Sequence, residues 1–148
     1  MTTLKEKLQA DRTAAYKNGN TLAKDTLGLV IGGIQTAEKA GKVAKEFTDA
    51  EVQKFLTTEV KKRRETAKNY ADAGVNDSAD RETAEADFLA TYLPVQLSEA
   101  EIRVVVEGVI ASNPTAATNQ VMGLVMKQLA GKADGALVRS IVQEATQN

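Results

Sequence analysis

The sequence predicts an all-α protein of about seven helices, arranged as an N-terminal four-helix module over residues 1–93 and a small three-helix module over residues 98–148. Three observations carry that prediction. Thr3 with Glu6, Thr48 with Glu51 and Ser98 with Glu101 are capping-box pairs, each followed by apolar residues at helical spacing. No segment shows the alternating apolar pattern of a half-buried strand. Hydrophobic residues make up 43% of the 148 positions and aromatic ones only 4%, so the core is left to Leu, Val, Ile and Ala, which suits helix packing.

Taken in order, Leu4, Leu8, Asp11 and Ala15 share one face of a first helix that ends near Gly19. Asp11 is the polar member of that face, and we expect a Lys or Arg of a neighbouring helix beside it. Leu27, Val30, Ile31, Ile34 and Ala37 mark a second helix ended by Gly41. Gly28, Gly32 and Gly33 each cost a helix interior about 1 kcal/mol relative to Ala. The i,i+4 pair Gly28 and Gly32 is expected to form a shallow strip on which another backbone lies. The third helix, over 49–73, buries Val52, Leu56, Val60, Ala67 and Tyr70, with Glu59 and Arg63 near that side at i,i+4 spacing, where they would pair and bridge packed helices.

Lys54, Lys61, Arg64 and Lys68 fall on the opposite side of this helix, within about a quarter of its circumference. Residues 49–70 hold six basic and four acidic side chains, whereas 74–87 hold one and five. The stripe is therefore either a solvated face neutralised by the next helix or a contact line for phosphates. A fourth helix starts near 76–78 and is stopped by Leu93 and Pro94, since proline disfavours helical backbone in the residue before it. Ile102, Val105, Val106, Val109 and Ile110 then give the cleanest amphipathic stripe of the chain.

Two short apolar-periodic runs follow, containing Val121, Leu124, Val125 and Leu129, then Leu137, Val138, Ile141, Val142 and Ala145, joined at Gly-Lys-Ala-Asp-Gly over 131–135. Such a pair across a tight joint is an αα-hairpin. Gly131 suits a left-handed helix end and Asp134 the next helix's cap. A second use exists: Lys132 beside a helix N-terminus, with Gly135 allowing close approach, would hold a phosphate or carboxylate. The joint lacks the spacing of a P-loop, and Ala133 follows Lys132 where that motif needs Ser or Thr.

The chain has no His and no Cys, which removes imidazole acid–base catalysis, thiolate chemistry, disulfides and the usual zinc ligands. None of the serines has a histidine to activate it. No catalytic residue, metal or cofactor is therefore expected. With a formal charge of -1, any binding to nucleic acid must come from a local patch. The first residues carry charges where a signal peptide needs an apolar run, and no stretch reaches the ~20 apolar residues of a membrane span, so a cytoplasmic protein without a membrane role is expected.

Gly-Leu-Val-Met over 123–126, the joint at 131–135 and Ile141 with Val142 resemble the C-terminal signature of the YqeY family. Tyr-Leu-Pro-Val-Gln-Leu-Ser-Glu-Ala-Glu-Ile over 92–102 is similar to its linker and next helix, and Glu-Val-Lys-Lys-Arg-Arg-Glu over 59–65 to its N-terminal half. Leu124 and Gly28 depart from the pattern, which usually has basic residues there. The family is similar to the tail domain of the B subunit of tRNA-dependent amidotransferases. The resemblance implies an accessory module that contacts tRNA or an amidotransferase-type complex. Carbon–nitrogen ligase activity with glutamine as amide donor would come with the family association, as a property of the larger enzyme. The residues expected to touch nucleic acid are Lys61, Arg64, Lys68 and Lys132, with Gly131, Asp134 and Gly135 forming the anion-binding joint. The alternative is a protein-interaction adaptor with no nucleic-acid role.

Overall fold

The structure, a computed structural model, describes residues 2–147, and among these it contains seven helices and no strand. They are α1 (Leu4–Asn18), α2 (Thr21–Glu38), α3 (Asp49–Asp72), α4 (Asn76–Ala90), α5 (Glu99–Ser112), α6 (Thr118–Gln128) and α7 (Gly135–Thr146). The chain divides between Leu93 and Pro94 into two compact units.

Side-chain capping starts five of the seven helices, α4 and α6 being the exceptions. The hydroxyls of Thr3, Thr48 and Ser98 accept the N–H of Glu6, Glu51 and Glu101, whose carboxylates accept the N–H of the capping residue in return. α1 stops at Gly19, whose φ of 71° lets the chain turn at once into Asn20, the cap of α2. In the first unit Leu8, Leu27, Val30, Ile34, Val52, Leu56 and Leu89 form one core, with Phe47, Phe55, Phe88 and Tyr92 packed on it.

Four local expectations are corrected here. Asp11 does not meet a cation of a neighbouring helix: its carboxylate accepts a 2.6 Å hydrogen bond from the Tyr92 hydroxyl, and its cation, Lys7 at 3.1 Å, belongs to α1 itself. Lys7 also stands 5.0 Å from the centre of the Tyr92 ring, which meets Phe88 edge to face. No backbone lies on the glycines of α2. The Arg12 guanidinium covers Gly28, the Phe55 ring tip stands 2.8 Å from the place a Cβ of Gly33 would take, and Gly32 faces open space. Helix α2 ends at Glu38, before Gly41, because the Glu38 carboxylate accepts the Phe47 N–H at 2.7 Å and its carbonyl accepts the Lys45 N–H at 3.0 Å, turning the chain back. Glu59 and Arg63 do not pair. Glu59 lies 3.7 Å from Lys62, and the expected bridge between packed helices is made by Arg63 alone, which reaches across to Glu85 of α4.

Asp11 and Glu38 tie the first unit together, and each titrates below its ordinary value. Asp11 is lowered chiefly by the Tyr92 hydroxyl and then by Lys7, against an opposing effect of burial. Glu38 is lowered by Lys5, 2.8 Å away, and by the Phe47 N–H. A carboxylate depressed in the folded state contributes stability in full above its unfolded value, near 3.8 for Asp11 and 4.5 for Glu38, and loses it as pH falls through the folded value. Urea melts of the wild type should therefore be flat near neutrality and weaken below about pH 4, and Asp11→Asn should be less stable at pH 7 yet converge on the wild type in acid. A constant gap between the two proteins at all pH values would show that the carboxylate charge is not what Tyr92 and Lys7 hold.

In the second unit, α5, α6 and α7 enclose Ile102, Val106, Val121, Val125, Leu129, Val138, Ile141 and Val142, with Leu97, Val105, Val109 and Leu137 at the margin. Leu124, expected in the apolar stripe of α6, is 43% exposed: Val121 and Val125 hold the buried face, and Leu124 sits one position off it. Residues 96 and 97 belong to this unit as a strap. The Leu97 N–H donates to the Lys132 carbonyl at 2.8 Å, and the Gln96 amide donates to the Gly131 carbonyl at 2.9 Å.

Candidate nucleic-acid interface

The joint between α6 and α7 is built almost entirely by local backbone chemistry. Val125 accepts from the Leu129 N–H and Leu129 from the Lys132 N–H, both at 2.9 Å, which closes the end of α6. Gly131 then reverses the chain at φ 76°, a left-handed conformation that costs a residue with a Cβ about 1 kcal/mol or more. The Asp134 carboxylate accepts the Ala136 N–H at 3.2 Å and so caps α7. Gly135 is the first residue of α7, and the Met126 methyl lies 3.4 Å from the place its Cβ would take. Capping thus explains Gly131 and Asp134, while at Gly135 a Cβ would meet only the flexible tip of Met126, so nothing in the packing requires a glycine there.

The Gly131 and Lys132 carbonyls are turned to the strap, while the Lys132 side chain is exposed. Two further cations stand at the same end of the hairpin. Lys127 lies in the last turn of α6, and Arg139 lies about one turn into α7; both are exposed. Among the described residues no salt bridge involves Lys127, Lys132 or Arg139. The fourth cation of this unit behaves differently: Arg103 is held between Glu144 at 2.8 Å and Glu99 at 2.9 Å, and these two carboxylates raise its already high pKa, Glu144 most. Sequence reading named Lys132 and missed Lys127 and Arg139. Their signal was available, since both flank the joint within one helical turn, but isolated charges on amphipathic helices look like ordinary solvated positions.

Lys61, Arg64 and Lys68 are all exposed on α3, as the helical spacing requires. Arg64 lies 3.0 Å from Asp87 of α4, and Lys68 lies 3.2 Å from Asp72 one turn further along α3. These are solvent-exposed pairs of the kind that contributes only about 0–1 kcal/mol. The stripe occupies the first unit and the joint the second. Ser98, the serine best placed at a helix start, is engaged in its capping box, with its hydroxyl 3.0 Å from Glu101. Among the described residues no group of His, Cys, Asp and Glu side chains is arranged to hold a metal ion, and no helix is long and apolar enough to cross a membrane.

Fold and surface together define an all-α protein of two helical units, whose distinctive feature is a glycine-turned hairpin with cations at its end. The chain belongs to the family described as Yqey-like protein, which matches it over residues 5–146, nearly its whole length. No curated protein matches it.

Proposed function

We propose that this protein is an accessory tRNA-binding module, working beside an amidotransferase-type complex and without a catalytic centre of its own. The observation that carries this reading is the hairpin end, where Lys127, Lys132 and Arg139 are exposed and have no acidic partner among the described residues. A cation that is not already neutralised gives its full counterion-release benefit when it meets a phosphate. Lys132 is the joint's contact to the anion in this reading, with Gly131 and Gly135 shaping the turn and Asp134 capping α7. Lys61, Arg64 and Lys68 form a second, weaker contact line. The carbon–nitrogen ligase activity associated with glutamine amide transfer then belongs to the larger partner enzyme, and this chain contributes RNA contact.

Anisotropy titrations of labelled tRNA against the full chain test the reading. Three phosphate contacts at the hairpin end predict a log–log salt slope of roughly -2 to -3, at ~0.7–0.9 per contact. Replacing Lys127, Lys132 and Arg139 together with Ala should remove most of that slope and weaken binding to all RNA sequences alike, as contacts to phosphate do. Replacing Lys61, Arg64 and Lys68 should change it less, because two of those cations must first release Asp87 and Asp72. Absence of binding at ~50 mM salt, where screening is weak, would remove the nucleic-acid reading. The pairing of Arg64 and Lys68 with acids of their own chain favours the second reading, a protein-interaction adaptor, and that reading would then stand alone.

A further inference from the structure

An open groove of about 790 Å³ runs along α1 and α2 in the first unit, lined by Arg12, Thr13, Tyr16, Lys24, Asp25, Gly28, Leu29 and Arg81. Its floor is the bare helix surface at Gly28. The Arg12 guanidinium lies on that surface, with Nη2, Cζ and Nε 3.3 to 3.4 Å from the place a Cβ would take. Arg12 is exposed, so its guanidinium fork stays open to a ligand in the groove. Arg12 has no salt-bridge partner among the described residues.

Charge in the groove is one-sided. Three cations line it against one acid, Asp25, which is already 3.5 Å from Lys24. Arg81 lies 3.4 Å from Glu85, but that carboxylate is shared with Arg63. Beside the cations stand two of the most exposed large apolar side chains of the protein, Tyr16 at 73% and Leu29 at 68%.

We propose that this groove docks an acidic, amphipathic segment of a partner protein, with a carboxylate on Arg12 and an apolar side chain laid across Tyr16 and Leu29. Arg offers a planar fork that matches a carboxylate, and the adjacent apolar pair supplies the non-polar contact such an anchor needs. Leu29 favours a peptide partner: a nucleic-acid strand would gain from stacking a base on Tyr16 but offers less aliphatic surface to pack on Leu29 than an amphipathic peptide does. The proposal goes beyond the RNA reading, which concerns the hairpin end of the other unit, and either can fail without the other.

The test is nuclear magnetic resonance on the full ¹⁵N-labelled chain, titrated with an acetylated, amidated helical peptide of about 16 residues carrying Leu at i and i+4 and Glu at the flanking positions. Shifts confined to the amides of Arg12, Tyr16, Gly28 and Leu29 and to the Arg12 side chain are expected, saturating at or below millimolar peptide. Arg12→Ala and Leu29→Ala are each expected to weaken binding at least fivefold, and the same peptide with Gln for Glu is expected to lose binding. Both positions are exposed, so both variants are expected to fold, and circular dichroism is the check on this. Shifts that ignore Arg12, an equal response to the Gln peptide, no saturation, or preferential saturation of these amides by a single-stranded RNA oligonucleotide would each overturn the proposal.

Discussion

Replacing Arg63 with Ala should destabilise the first unit by about 3 kcal/mol, the low end of what breaking a buried ion pair costs. The Arg63 and Glu85 side chains are only 13% and 12% exposed, and one Arg63 Nη1 is in hydrogen-bond contact with Glu85 while 3.8 Å from Glu82. Removing the guanidinium leaves the Glu85 carboxylate half-satisfied in the seam between α3 and α4, with only Arg81 at 3.4 Å to offset its charge. That residual partner keeps the loss at the low end of the range. For a unit of this size the shift corresponds to roughly 12–24 °C in melting temperature. The double replacement Arg63→Met with Glu85→Leu should recover most of the loss, because filling such a site with apolar side chains of similar volume avoids burying either charge. Circular-dichroism melts of the single and double variants decide the matter. A single variant within about 1 kcal/mol of wild type would mean that solvent screens the pair like any surface salt bridge.

Helix starts and the hairpin joint were legible in the sequence because their chemistry is local. Thr48 and Glu51 sit three residues apart, and their hydrogen bonds close within one turn; the same holds for the turn at Gly131 and the cap at Asp134. Contacts that join distant segments were not legible. Asp11 and Tyr92 are 81 positions apart, so nothing near Asp11 pointed to a tyrosine hydroxyl in place of a cation. Arg63 had a local partner at Glu59 by spacing alone, worth a few tenths of a kcal/mol on an isolated helix. Across α3 and α4 it finds Glu85 in a less hydrated setting, where the electrostatic attraction is stronger, and the tertiary contact wins. The glycines of α2 show the same limit in another form: a missing Cβ marks where something fits, and only the fold shows that Arg12 and Phe55 fill two places while the third stays open.

The candidate site followed that division. Position on a helix fixed the exposure of Lys61, Arg64 and Lys68, but not that Asp87 and Asp72 would stand beside two of them. Conversely, Lys127 and Arg139 gained interest only once the structure left them without acidic partners among the described residues. Available charge rather than total charge therefore ranks the hairpin end above the α3 stripe.

Substituting Val106 with Asp should unfold the second unit altogether and leave the first intact. Val106 is fully buried among Ile102, Val121, Val125, Val138, Ile141 and Val142. An aspartate there loses the burial of a Val side chain, worth about 1.5–3 kcal/mol. It must also either stay charged in an apolar setting or take up a proton, a shift of up to 3–5 pKa units at about 1.4 kcal/mol each. A unit of roughly 55 residues is expected to have only ~3–8 kcal/mol of stability in total. The two core clusters share no residue, with one drawn from residues 4–93 and the other from 97–145, so nothing in the first core depends on Val106. In ¹H–¹⁵N correlation spectra the amides of α5, α6 and α7 should collapse to random-coil positions while those of α1 to α4 keep their dispersion. On the proposed tRNA-binding reading, affinity for tRNA should then fall as far as is expected for joint removal of Lys127, Lys132 and Arg139. Collapse of the first unit's amides in the same variant would show that the chain folds as one cooperative block and that the division at Leu93 and Pro94 has no energetic meaning.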